Sequence, residues 1–253
     1  MRVLLLLALF IMGFIGCENN KLTIATAANF APFQYIEGSE FKGIDIDIAN
    51  EIAKELNKEL LIKNMEFDFV IQSVSSNNAD IAMAGITITE TRKKVVDFSD
   101  TYFDASQMII VRENDKRFQG VKTKEELIEK INSIKGIRIG VQTGTTGEFY
   151  AKGDPDWGFE GFKNANILSF ASGALSVGAT INNQIDLVIT DEMPARVLAK
   201  SNKGVKLLEI PLTDEKYAIA LSKGNKKLLE EINTILNKMK TDGRMEKILT
   251  KYF

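Results

Sequence analysis

Residues 80–92, Asp80-Ile81-Ala82-Met83-Ala84-Gly85-Ile86-Thr87-Ile88-Thr89-Glu90-Thr91-Arg92, decide how the chain folds. A short apolar run ends at a glycine, a threonine-rich turn follows, and Thr89 stands where a helix N-cap accepts a backbone N–H. Residues 137–147, Ile137-Arg138-Ile139-Gly140-Val141-Gln142-Thr143-Gly144-Thr145-Thr146-Gly147, repeat that design in the other half. A buried strand feeding a helix through a tight turn is the working half of a parallel βαβ unit.

Working outward, the same grammar fills the chain. Leu22 to Thr26 reads as a buried strand, and Asp45 opens a helix with Ile48, Ile52 and Leu56 on one face. Leu60 to Ile62 is a strand, and Phe69, Val70 and Val74 mark a helix. The pattern restarts with a strand at Met108 to Val111. Thr123 with Glu126 then forms a capping box ahead of Leu127, Ile128 and Ile131. Ile167 to Phe170, Ala174 to Ile181 and Ile185 to Ile189 read as strand, helix and strand. Lys206 to Ile210 and Tyr217 to Leu221 read as further strands. A stripe from Leu228 to Met239 is a helix that Gly243 can close in a left-handed cap. Two α/β units of about 90–110 residues each suggest two lobes. No Pro- or Gly-rich linker parts them, as expected where the chain crosses between lobes inside strands.

Composition narrows the chemistry. The 253 residues are 45% hydrophobic and 26% charged, with a net charge of −2 and no histidine. No basic field invites nucleic acid. Without histidine, Ser-His and Cys-His catalysis are closed, and no metal-ligand cluster or cofactor motif is visible. Arg2 and the apolar run Val3–Ile15 are too short to span a membrane and suit the core of a signal peptide, residues 1–16. The only cysteine, Cys17, follows Phe14-Ile15-Gly16 in a pattern that resembles a bacterial lipobox. Cys17 would then carry the lipid on a tether, residues 17–21, and hold the exported protein to a membrane. A signal anchor, or a plain signal peptide with an incidental thiol, is the alternative. A single cysteine allows no internal disulfide.

Both strand-to-helix turns could hold an anion on free backbone N–H groups. Arg92 could grip a carboxylate with its planar fork, or it could belong with Lys93 and Lys94 to a solvated face. Asp191, at the carboxyl end of a strand, could pair with an ammonium group, or simply cap the helix that starts at Glu192.

Several strings together resemble the family 3 solute-binding proteins, the polar-amino-acid receptors of ABC importers. They are Phe30-Ala31-Pro32-Phe33, Gly43-Ile44-Asp45-Ile46-Asp47, Thr87 to Arg92, Val96-Asp97-Phe98-Ser99-Asp100, Gly140 to Thr146, Thr190-Asp191 and Asp242-Gly243 with Lys251-Tyr252-Phe253. The resemblance implies a two-lobed periplasmic-binding-protein fold of type II. Each lobe would be a mixed, mostly parallel sheet flanked by helices, with two interlobe crossings. It places lobe one at 22–105 plus 216–253 and lobe two at 106–215. It implies that Arg92 holds the ligand α-carboxylate, helped by Thr87 and the backbone around Gly85. Thr146 and the amides near Thr145 would grip the same group, and Asp191 would take the α-ammonium. Phe30 and Phe67 would flank the ligand side chain. Partners would be the permease subunits in the membrane, and the protein would act as a monomer in the periplasm or at the cell surface.

One departure concerns specificity. Members that bind basic side chains often carry an acid where this chain has Ala27. Glu66, Asp104 and Glu148 are possible substitutes, and Gln107 and Asn29 offer neutral hydrogen bonds. The ligand class stays arginine, lysine or glutamine. The rival reading is a secreted cyclohexadienyl dehydratase-like enzyme acting on prephenate or arogenate, with Glu66 or Glu148 as the acid.

Overall fold

The computed structural model describes residues 20–253, so the leader and Cys17 lie outside the described residues. Two five-stranded sheets organise the molecule. The first runs, edge to edge, Glu59–Asn64, Lys21–Thr26, Ile81–Ala82, Ala220–Ser222 and Val96–Phe98. The second runs Asn166–Phe170, Arg138–Gln142, Leu187–Asp191, Gln107–Arg112 and Val205–Leu208. In each, three neighbouring strands are parallel and the remaining pairings are antiparallel.

Each sheet has its own core. Ile24, Ile44, Ile48, Ile52 and Ile81 meet Ile232, Leu236, Met239 and Ile248 in the first, so the C-terminal helices Lys226–Thr241 and Arg244–Thr250 return to it. Ile109, Leu127, Ile131, Ile139, Val141, Tyr150 and Ile189 build the second. The capping box forms in full, with Thr123 accepting from Glu126 N–H at 3.2 Å and the Glu126 carboxylate accepting from Thr123 N–H. Gly243 adopts φ +83°, the left-handed conformation expected after the long helix.

The stretch 217–221, read above as one strand, is two. Glu215–Tyr217 pairs antiparallel with Phe103–Ala105 in a separate ribbon, while Ala220–Ser222 joins the first sheet. An apolar run registers burial but not which sheet receives it, so periodicity alone could not divide this segment. The ribbon carries the chain out of the first sheet along Phe103–Ala105 and back along Glu215–Tyr217. The strand in the apolar run that ends at Gly85 is confined to Ile81–Ala82. A small three-stranded sheet, Asn29–Phe30, Gln34–Glu37 and Glu40–Lys42, was not foreseen.

Candidate functional site

The carboxyl ends of both sheets meet at the ribbon, and the turns at 83–92 and 142–148 face one another there. Thr89 caps the helix Glu90–Lys93, its hydroxyl accepting from Arg92 N–H at 3.1 Å. That cap turns Arg92 inward. The residue is buried, while Lys93 and Lys94 beside it are exposed, so the solvated face begins one residue later. The guanidinium donates to Thr87 O at 2.8 Å and to Gly144 O at 3.1 Å, spanning the two turns. It lies 5.6 Å from the ring centre of Phe67 and 6.0 Å from that of Phe149, within cation–π range. Burial pushes this guanidinium below its ordinary range, and the charges of Glu215 and Asp191 oppose that push.

Asp191 begins the helix Glu192–Ser201, yet its carboxylate makes no capping bond. It accepts the Tyr217 hydroxyl instead, with the Gln107 amide beside it. The plain capping role weighed for Asp191 therefore fails. Burial, with the negative charge of Glu215 nearby, raises its carboxyl to about 7. Tyr217 is pushed well above its ordinary value by burial and by the Asp191 charge.

Glu215 is the residue that sequence reading missed. Its buried carboxylate accepts hydroxyl protons from Thr87 at 2.6 Å, Thr146 at 2.9 Å and Thr213 at 2.7 Å. Those donors come from the first turn, the second turn and the segment just before the crossing strand. Glu215 and Tyr217 alternate along the returning strand and share a face, and Thr213 lies two residues before it. That i, i+2, i+4 polar pattern was a signal available in the sequence.

The remaining candidates find different partners. Gly85 sits at φ +59°, and a Cβ there would stand 3.0 Å from the Phe30 ring, so only glycine is comfortable. Its N–H donates to the buried Asp45 carboxylate at 2.8 Å rather than to the cleft, and Tyr102 donates to the other oxygen. Burial raises Asp45 to about 7. Thr145 is occupied as the N-cap of Thr146–Lys152, donating to Gln142 O and accepting from Glu148 N–H. Phe30 packs against Phe33 at 6.2 Å between ring centres. Gln107 Nε2 donates to Thr146 Oγ1 at 3.0 Å, and Gln107 Oε1 is buried with no hydrogen-bond partner among the described residues.

Of the acids considered as substitutes for a charge at Ala27, Glu148 is bound by Lys152, Ser169 and the Gly144 N–H. Burial works against its charge, but those partners outweigh it and hold it below the ordinary carboxylate range. Asp104 is exposed and pairs with Lys216 at 2.7 Å. Among the described residues no group of three His, Cys, Asp or Glu could hold a metal ion.

Known proteins resemble this chain along most of its length. The model of the bacterial extracellular solute-binding proteins, family 3, matches residues 22–253. This chain belongs to that family. It is 35% identical over 240 residues to the ABC transporter glutamine-binding protein GlnH of Bacillus subtilis, covering 93% of this chain and 82% of that one. Among solved structures, an ancestral arginine-binding protein bound to glutamine superposes with a TM-score of 0.81 at 36% identity, covering 92% and 98% of the two chains. An ancestral amino acid-binding protein described as a precursor of cyclohexadienyl dehydratase gives 0.80 at 33% identity, covering 92% and 96%. The fold is the two-lobed type II arrangement, and the chain is the substrate-binding component of an amino-acid ABC importer, an exported protein. Among the described residues no helix is long and apolar enough to cross a membrane.

Proposed function

We propose that this protein captures one polar amino acid of the arginine, lysine or glutamine type between lobe one, 22–105 with 216–253, and lobe two, 106–215. The observation that carries the reading is the presence, in one buried site, of an Arg92 fork and an Asp191 carboxylate that no cation among the described residues contacts directly. A zwitterion satisfies both. Its carboxylate replaces the two carbonyls as the acceptor of the Arg92 fork, a stronger charge-assisted bond. Its ammonium meets Asp191 and the free acceptor Gln107 Oε1. The hydroxyls of Thr87 and Thr146 turn from Glu215 to the ligand carboxylate, and the neighbouring turns at Gly85 and Thr145 shape the floor. Phe30 and Phe67 flank the ligand.

The ribbon Phe103–Ala105 with Glu215–Tyr217 is the hinge, because among the described residues the chain passes between the sheets there. Closure presents one surface of both lobes to the permease subunits in the membrane. Cys17 anchors the mature, monomeric protein by lipid at the membrane surface. The site needs no metal or cofactor.

The dehydratase reading needs a carboxyl that keeps its proton near neutral pH, and burial beside the Glu215 charge pushes Asp191 in that direction. Glu148, bound by Lys152, is a poor candidate for that acid. The proposal is binding without turnover. Isothermal titration of the lipid-free protein with the twenty amino acids and prephenate tests it. Binding by one or two polar amino acids with prephenate unconsumed supports the receptor; prephenate consumption, or silence across all twenty, refutes it.

A further inference from the structure

Between the helix Thr146–Lys152 and the strand Asn166–Phe170, lobe two puts out a short arm, residues 153–161. Two glycines in the left-handed region close its base, Gly153 at φ +99° and Gly161 at φ +82°. They pack so tightly that a Cβ on Gly161 would stand 2.5 Å from the Lys152 carbonyl carbon, and one on Gly153 2.6 Å from that of Glu160. Within the arm, Asp154 N–H donates to Phe159 O at 3.1 Å and Asp156 N–H to Asp154 Oδ1 at 2.8 Å. The Phe159 ring stacks on the buried Tyr150 at 4.5 Å, and Trp157 meets Tyr150 edge-on at 6.4 Å. An arm braced in this way moves with lobe two as one piece.

Its tip reaches lobe one, where Asp156 Oδ2 accepts from Glu90 N–H at 2.9 Å. Glu90 opens the helix Glu90–Lys93 that carries Arg92, so the arm touches the element that presents the guanidinium. The Glu90 carboxylate is turned to Lys93 at 2.6 Å, which offsets its repulsion of Asp156. Around this bond the arm does not pack flat on its neighbour. A recess of about 560 Å3 opens there, lined by Thr89 and Glu90, by Pro155 and Trp157, and by Asp214 and Lys216 of the returning segment.

We propose that Asp156 is a latch of the closed state, a positioning residue that ties the arm to the Arg92 helix and slows ligand release. The inference rests on the receptor reading above. Opening at the ribbon Phe103–Ala105 with Glu215–Tyr217 parts the arm from lobe one, and Asp156 and Glu90 N–H then exchange each other for water. A carboxylate accepting a backbone N–H is a charge-assisted bond, made here only when the lobes are together. Such a bond shifts the equilibrium toward closure by the difference it makes between the two states. Because its partner is backbone of lobe one, its effect is the same for every amino acid that closes the lobes.

The test is stopped-flow and calorimetric titration with L-glutamine, L-arginine and L-lysine, on the wild-type protein, Asp156→Ala and Asp156→Asn. Asp156→Ala should weaken affinity about three- to tenfold, the size of one hydrogen bond to a charged acceptor near the surface. The whole loss should appear as faster dissociation, with the association rate and the ligand-free melting temperature unchanged. Asp156→Asn keeps a neutral acceptor at the same place and should fall between the two. The factor should be equal for each of the three amino acids that binds. An unchanged dissociation rate in Asp156→Ala overturns the latch and leaves the receptor standing. A slower association, or a ligand-free melting temperature several degrees lower, makes Asp156 a structural residue of the arm and overturns the latch as well. A loss confined to one amino acid does the same, since Asp156 would then contact that ligand. Silence of the wild-type protein toward all three refutes the receptor reading and the latch with it.

Discussion

Lowering the pH should weaken ligand binding through Asp191. Among the chain's own groups this carboxyl is raised to about 7, first by burial and then by the Glu215 charge. Arg92 and the Tyr217 hydroxyl, which also face it, pull the other way without restoring the ordinary value. Ligand ammonium requires the ionised form, so each proton bound to Asp191 must leave before the ammonium can dock. With a pKa near 7, about three quarters of the sites are ionised at pH 7.5 and about 3% at pH 5.5. Affinity should therefore fall roughly 25-fold over that interval, or about 2 kcal/mol. The sign for folding is opposite. An acid whose folded value is raised adds stability while protonated and loses it as pH rises from about 4 toward 7, so the empty protein gains from acid at this position. Asp45 is also raised to about 7, but its partners are Gly85 N–H and Tyr102, away from the ligand ammonium, so it shifts stability and leaves affinity alone. The assay is calorimetry of glutamine binding from pH 5.5 to 7.5 in two buffers of different ionisation enthalpy. It should report close to one proton released per ligand near pH 6. An affinity flat or rising toward acid would refute the assignment of Asp191 to the ammonium.

Three other outcomes follow from the same geometry. Glu215→Gln keeps the shape of the hydroxyl cluster but removes the charge beside Asp191, so the midpoint of the affinity profile should move to lower pH; an unmoved midpoint would show that the two carboxylates do not interact. Arg92→Ala should abolish the ligand-induced rise in melting temperature. It should also lower the ligand-free melting temperature by several degrees, since a guanidinium bonded across two turns at 2.8 and 3.1 Å is lost, about 1.5–3 kcal/mol; a full ligand response in that variant would remove Arg92 from the site. Gly43→Ala should destabilise by about 2–4 kcal/mol, read by calorimetric melting. Gly43 sits at φ +123°, and a Cβ would stand 2.2 Å from Phe33 O; an unchanged melting temperature would mean the backbone there yields freely.

Much of the fold could be read from local pattern. The strand at Lys21–Thr26, the helix at Ile44–Glu55 and the capping box at Thr123 each express a local rule of periodicity or capping. The split of 215–222 between two sheets could not be read that way, because it depends on pairing with Phe103–Ala105, more than a hundred residues earlier. The site divides along the same line. Arg92 stood out as a charge just past a capped turn, and Asp191 as an acid at a strand end, but the choice between function and a bland role needed burial and partners. The family resemblance implies those ligand roles, and the structure shows the burial and partners of both residues. Glu215 escaped because it sits on a crossing strand whose register no local rule sets, and because its three hydroxyl partners lie at 87, 146 and 213. The capping of Thr145 and the bond from Gly85 N–H to Asp45 likewise depend on turn geometry that residue types leave open.

A crystal structure of the protein with its amino acid bound examines the central claim most directly. The ligand should lie between the two sheets, its α-carboxylate within about 3 Å of the Arg92 guanidinium and its α-ammonium within about 3 Å of an Asp191 oxygen. A ligand bound outside the cleft, or one whose ammonium avoids Asp191, would contradict the account.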